Sequence, residues 1–242
     1  MRVYLFAVLG VSSAAAAEPC IPPSQLVPEI AFPADGDLVP PNGTILLHET
    51  AATLDLVGAA TGPIGFQTEL VEVDDGFGPV FYRRVVPSLG LPVGDTVQLT
   101  VDGVLRLTFA VGDTADTEAP LPPSVEFEGP YSNGACVPYA SISAESDSAD
   151  AVAFIGARGS DPTFGDGSQL AGLSVSTSSL VVGGDDAAAA TIRVAAIDGA
   201  GNVSAASEVD VKFPDTRGCP CVPASPGLLF PFFWTLRRRT RK

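Results

Sequence analysis

The chain has 242 residues, 46% of them hydrophobic, and carries 28 acidic against 13 basic side chains for a formal net charge of −15. A field of that sign repels polyanions, so nucleic acid is excluded as a partner, and a membrane surface is excluded except through a dedicated anchor. The apolar content is too high for an acidic disordered chain, and a single histidine removes most base-assisted nucleophilic chemistry.

Residues 1–17 read as a signal peptide. Arg2 supplies the positive start, Val3 to Val11 is uninterrupted and apolar, and Ala15-Ala16-Ala17 offers the small residues that signal peptidase cleaves after. Cleavage between Ala17 and Glu18 leaves Glu18 as the mature N-terminus. A lipoprotein signal does not fit, because Glu18 and Pro19 stand directly before Cys20, where small residues are required.

From residue 24 to 112 the pattern is that of a β-sandwich domain. Thr44–Glu49, Thr53–Val57, Phe66–Val73, Val80–Val85, Val97–Leu99 and Leu105–Val111 are short runs rich in Val, Leu, Thr and Phe, broken by Gly, Pro and Asp. No stretch sustains a helical period. His48 lies on one of these strands and reads as an ordinary strand residue. Asp74-Asp75-Gly76 is expected to turn one pair of strands. Around Asp102-Gly103 a three-residue loop beginning at Val101 is expected, pairing Leu99 with Leu105 and Val97 with Leu107, because that register puts the large apolar residues on one face. Phe77, Phe81 and Tyr82, flanked by Arg83 and Arg84, form an aromatic-basic cluster, half of which must face the core.

Residues 113–123 are polar and end in Pro120-Leu121-Pro122-Pro123, which reads as a stiff extended linker with few backbone partners and the first site of proteolysis. A second sandwich is expected over residues 121–214. Its strands are Val125–Phe127, Val137–Ser143, Ala151–Ala157, Leu173–Ser176, Leu180–Val182, Thr191–Ile197 and Glu208–Phe213. The final pair, joined by Asp198-Gly199-Ala200-Gly201-Asn202, resembles the last hairpin of fibronectin type III and bacterial Ig-like domains. That resemblance implies a fold and nothing sharp about activity. The fold class expected is all-β, with two tandem Ig-like or fibronectin type III-like sandwiches.

Residues 218–242 form a separate unit. Gly218-Cys219-Pro220-Cys221 is followed by an apolar run from Val222 to Leu236 and then by Arg237-Arg238-Arg239-Thr240-Arg241-Lys242. As a helix the apolar run would reach roughly 22 Å, short of the about 30 Å of a bilayer core. Basic residues at its end stop translocation, which suits a transient membrane stop before processing. The three parts in this order resemble the MYXO-CTERM sorting tails of myxobacterial surface proteins. The resemblance implies recognition by a sorting protease, with Gly218, Cys219 and Cys221 as the region of processing and lipid attachment. The leader and tail together hold six of the basic residues and none of the acidic ones, so the body between them is more acidic than the whole.

With Cys219 and Cys221 assigned to the tail, Cys20 and Cys136 are the candidates for a structural disulfide in an exported, oxidising setting, the alternative being two separate thiols. A zinc site lacks a second ligand pair. Most carboxylates fall in turns, and no phosphate loop, metal triad or nucleophile–base pair occurs, so neither catalytic residues nor a cofactor is expected. Calcium is the alternative, because Asp161, Asp166, Asp185 and Asp186 lie in Gly-rich loops, though without EF-hand spacing.

The sequence therefore points to an exported protein of the cell surface or outer membrane, or one released outside the cell. Its partners are signal peptidase, a C-terminal sorting protease and a surface ligand. A non-catalytic binding or adhesion module is the first reading, a passive spacer or coat component the second, and a carboxylate-dependent hydrolase the third. Mass spectrometry of the native protein is expected to find a mature chain that begins at Glu18 and lacks the segment after the Cys motif. An intact chain ending at Lys242 would contradict it.

Overall fold

The computed structural model describes residues 30–48, 53–74, 79–131, 138–175, 179–184 and 188–214. Among these residues the secondary structure is entirely β. The first half contains β1 (Ile30–Phe32), β2 (Leu38–Val39), β3 (Ile45–His48), β4 (Leu54–Gly58), β5 (Gly62–Pro63), β6 (Phe66–Asp74), β7 (Pro79–Pro87), β8 (Thr96–Val101) and β9 (Val104–Val111). The second half contains β10 (Ser124–Tyr131), β11 (Tyr139–Glu145), β12 (Ala151–Arg158), β13 (Ser168–Leu170), β14 (Gly172–Val175), β15 (Ser179–Gly183), β16 (Ala189–Asp198) and β17 (Ser207–Lys212).

These strands form four sheets, numbered here in stacking order. Sheet I runs β2-β9-β8-β4-β5, sheet II β1-β3-β7-β6-β13, sheet III β14-β12-β16-β17 and sheet IV β10-β11-β15. Sheets I and II close the first sandwich around Ile45, Leu47, Leu56, Val85, Leu99 and Phe109. Sheets III and IV close the second around Ile142, Leu180, Val182, Ile192, Val194 and Val211.

The two sandwiches do not stop at their own cores. A third core, containing Leu46, Val71, Val73 and Tyr82 from sheet II and Ile155, Phe164, Leu170, Ala195 and Ile197 from the second half, joins sheet II to sheet III. Successive strand residues point to opposite faces, so a strand buried on both sides must be apolar without alternation. Ile45, Leu46 and Leu47 are consecutive and all at most 1% exposed, and Val194 to Ile197 are all at 0%. Strand β13 completes the union. It belongs to the second half yet pairs parallel with β6, Ser168 opposite Val71 and Leu170 opposite Val73.

The expected strands of both halves are present, while the short strands β1, β2, β5 and β13 went unanticipated, being too brief to show a period. The β8–β9 hairpin corrects the expected register. Its tip is a two-residue loop in which Asp102 and Gly103 have φ of 50° and 76°, with Val101 opposite Val104. The register slips between Leu99 and Thr100, so that Leu99 opposes Leu107 and Val97 opposes Phe109. Arg106 is the extra residue of that bulge, and it restores the apolar phase that the loop alone would have broken. Strands β6 and β7 pair from Phe66↔Pro87 to Asp74↔Pro79, whereas Asp75 and Gly76 lie outside the described residues.

The connecting segment 113–123 is extended, but its backbone is not short of partners. Asp116 is gripped by Asn42 and Asn202, the Leu121 N–H donates to Ser148 Oγ at 2.7 Å, and the Pro123 carbonyl accepts from Ser207 Oγ. Pro120 and Pro123 are buried.

Leu46→Ala and Ile155→Ala remove side chains from different halves but from one shared core, so each is expected to cost about 2–5 kcal/mol. Both should displace a single unfolding transition of the whole body in denaturant. Two transitions, only one of them displaced by each variant, would contradict the shared core.

Candidate functional site

The functional candidates gather where the two halves meet. Arg84 leaves β7 toward sheet III. Its Nη1 donates to Glu69 Oε2 at 2.9 Å and to the Phe164 carbonyl at 3.1 Å, and its guanidinium stands 5.0 Å from the centre of the Phe164 ring. Gly201 makes room for it: a Cβ there would stand 2.4 Å from Arg84 Nη2, and the residue's φ of +89° also favours glycine. The His48 ring sits edge-on to Tyr82, 5.8 Å away at 85°, as a cross-strand pair of β3 and β7. It lies on a strand, as expected. Within the expected aromatic-basic cluster, Tyr82 is buried, Phe81 is at the surface, and Phe77 lies outside the described residues.

Beside Arg84 lies a polar latch on the connecting segment. Asn42, from the first half, accepts from the Asp116 N–H at 2.8 Å and donates to the Asp116 carbonyl. Asn202, from the second half, donates to the same carbonyl at 3.2 Å, to the Glu118 carbonyl at 3.4 Å and to Asp198 Oδ2 at 2.8 Å. Asp198 ends β16 and is fully buried; its Oδ1 accepts from the Ala200 and Asn202 N–H groups, each at 2.9 Å. This is the Asp-x-x-Gly-Asn turn of the final hairpin, doing double duty as the latch. Burial raises the Asp198 carboxyl above its ordinary value and the Asp116 charge adds to that, while the hydrogen bonds from Asn202 and Ala200 oppose it.

Asp116, Asp150 and Asp198 each bring a carboxylate oxygen within 4.8 Å of the other two. Hard oxygen donors of this kind suit a calcium ion. Of the Asp residues anticipated for calcium, the described ones, Asp161 and Asp166, are not part of this group. Asp161 pairs with Arg193 at 3.1 Å, Asp166 accepts from the Leu70 N–H at 3.3 Å, and Asp185 and Asp186 lie outside the described residues. Ala17, Glu18, Cys20, Cys136, Gly218, Cys219 and Cys221 lie outside them too.

A buried carboxylate of the opposite kind holds sheet I together. Asp95 accepts from the Ala60, Thr61 and Thr96 N–H groups and from Thr61 Oγ1, at 2.8–3.2 Å. Desolvation pushes its carboxyl upward, but the hydrogen bonds together outweigh that and leave it lowered. Its role is to fix the β4–β5 turn against β8.

Among the described residues, two of the surface clefts bear on function. The first, about 400 Å³, lies at the seam and is lined by Asp74 at the end of β6 together with Ala157, Arg158, Ser160, Gln169 and Leu170 of the second half. Arg158 is held in place there, donating to the Gly183 carbonyl with its guanidinium 5.7 Å from the centre of the Phe213 ring. The second cleft, about 340 Å³, is apolar and lies between Pro63–Ile64 and the 88–92 loop, where Leu89 is fully exposed. Sequence reasoning missed the seam cleft because Asp74 and Arg158 are far apart in the chain and converge only through the shared core.

No protein-family model matches the chain, and no curated protein matches it. Solved structures do. The fibronectin(III)-like modules of Clostridium thermocellum CbhA align at 13% identity over 78% of this chain and 94% of that one, with a TM-score of 0.27. The FN1-FN3 domains of chicken CNTN1 align at 14% identity over 77% of this chain and 66% of that one, with a TM-score of 0.29. A titin domain structure aligns at 13% identity over 75% and 61%, with a TM-score of 0.30.

Asp198 has a folded pKa above its ordinary 3.8, so the stability it contributes is complete below that value and is lost as pH rises through the folded pKa. Asp116→Asn keeps the backbone bonds of the latch but removes the neighbouring charge, and is expected to move the Asp198 titration to lower pH. Carbon-13 titration of the Asp198 carboxyl in both proteins measures this. An unchanged midpoint would show that Asp116 does not act on it.

Proposed function

We propose that this chain is an exported, non-catalytic binding or adhesion module of the bacterial cell surface. The seam cleft carries the reading. Its lining comes from two sandwiches locked into one body by a common core and a latched connection, so the backbone at Asp74, Arg158, Ser160 and Gln169 is fixed in relative position before any ligand arrives. Preorganisation of this kind lowers the ordering cost of association.

The leader-like residues 1–17 and the resemblance of residues 218–242 to a sorting tail support a position at the envelope, with the body held through the tail or through a lipid near Cys219 and Cys221, or released after processing. A rigid latched stack also suits a passive spacer. The cleft favours binding over that role, because a spacer has no need of polar side chains gathered at its joint.

Labelled protein, processed or trimmed of its tail, is expected to bind envelope fragments of its own cells saturably, and Arg158→Glu should abolish most of that binding. Retention no greater than that of an unrelated acidic sandwich protein would favour the spacer.

A further inference from the structure

The first-half side of the latch rests on a chemically labile pair. Asn42 is followed by Gly43, and an asparagine before a glycine is the pair most open to deamidation, because the glycine nitrogen can reach the side-chain amide with no Cβ in the way. Packing forbids any other residue at 43: a Cβ there would stand 2.2 Å from Val39 Cγ1 and 2.9 Å from the Pro40 carbonyl oxygen. We propose that Asn42 is a deamidation site gated by the latch, and that its conversion makes opening of the latch irreversible.

In the closed latch both reacting groups are occupied. The Gly43 N–H, source of the nucleophile, donates to the Pro40 carbonyl at 2.8 Å, and Gly43 is buried. The Asn42 amide accepts from the Asp116 N–H at 2.8 Å and donates to the Asp116 carbonyl. Local opening releases both, since Asn42 is an exposed residue of the connection between β2 and β3. The Gly43 nitrogen, its proton taken by solvent hydroxide, then attacks Asn42 Cγ. The new N–Cγ bond closes a cyclic imide, the Cγ–Nδ2 bond breaks, and the nitrogen leaves as ammonia with a proton from water. Water opens the imide at either carbonyl to give aspartate or isoaspartate, so the net exchange is water for ammonia. A carboxylate cannot donate. The converted side chain would turn an oxygen toward the Asp116 carbonyl with no hydrogen between them. It would also add negative charge beside Asp116, whose carboxylate is already grouped with those of Asp150 and Asp198. Isoaspartate in addition lengthens the backbone between β2 and β3 by a methylene. Asn202 would still hold the Asp116 carbonyl from the second half, but the first-half grip would be gone.

The test holds the full chain at mildly alkaline pH and follows Asn42 by peptide mass mapping, in native buffer and in urea. Asn42 is expected to convert about tenfold or more slowly in the native chain than in urea, a protection that measures how rarely the latch opens. Asn202→Ala weakens the grip on Asp116 from the other half without touching the labile pair, and should recover much of that difference. Leu46→Ala is the comparison, because it loosens the common core while leaving the latch side chains in place, and should speed Asn42 less. Asn42→Asp, the product made directly, should be cut within residues 113–123 by a nonspecific protease about tenfold faster than the parent chain. The deamidated parent, separated by charge, takes its place if that variant does not fold. Equal rates in native buffer and urea, no gain for Asn202→Ala beyond that of Leu46→Ala, or unchanged cutting of the converted chain would overturn the proposal.

Discussion

Sheet II is covered on both faces, by sheet I on one side and sheet III on the other. Its strands cannot follow the apolar-in, polar-out alternation of an ordinary sandwich. Ile45 and Leu47 enter the core shared with sheet I, while Leu46 between them enters the core shared with sheet III. The same demand falls on β16, where Val194 faces sheet IV and Ala195 and Ile197 face sheet II. Two sandwiches are stacked rather than strung as beads, and polar groups caught between them call for partners, which Thr44 Oγ1 and Arg84 Nε alone among the described seam groups lack.

That requirement explains the chemistry of the seam. Arg84 enters a largely apolar layer and finds Glu69, the Phe164 carbonyl and the Phe164 ring. Replacing such a partly buried pair by apolar residues is often tolerated, but removing one partner leaves the other uncompensated. The pair therefore acts more as a register for docking than as a source of net stability. Gly201 belongs to the same arrangement, since any side chain there would displace the guanidinium. The two asparagines work alike from opposite halves. Both meet at the Asp116 peptide, so the connecting segment is measured against each sandwich.

Locking the halves has a functional consequence, because it turns a joint into a wall. Asp74 lies at the end of a first-half strand and Arg158 at the end of a second-half strand. With a mobile linker their separation would vary and any ligand would have to fix it at its own entropic cost. The parallel pairing of β13 with β6 removes that freedom, since Leu170 sits in the common core beside the cleft. The binding reading and the packing reading thus stand on the same few residues.

Much of this was legible in the residue order. Runs of Val, Leu, Thr and Phe between turn residues are a local property, and they marked the long strands and the β class because a pleated, half-buried surface selects those side chains wherever it occurs. The Asp-x-x-Gly-Asn turn announced the last hairpin for the same reason. Even the double-sided burial of sheet II left a trace in the uninterrupted Ile45-Leu46-Leu47, though alternation was the more natural reading of so short a strand. The tip of the β8–β9 hairpin was misjudged because a bulge and a longer loop place the same apolar residues on one face, and only the backbone dihedrals at Asp102 and Gly103 separate them. The fusion of the sandwiches, the convergence of Asp116, Asp150 and Asp198, and the seam cleft belong to the tertiary structure alone. They join residues with no periodic relation to one another, and what brings them together is the burial of one sheet between two others, a long-range fact that no local pattern encodes.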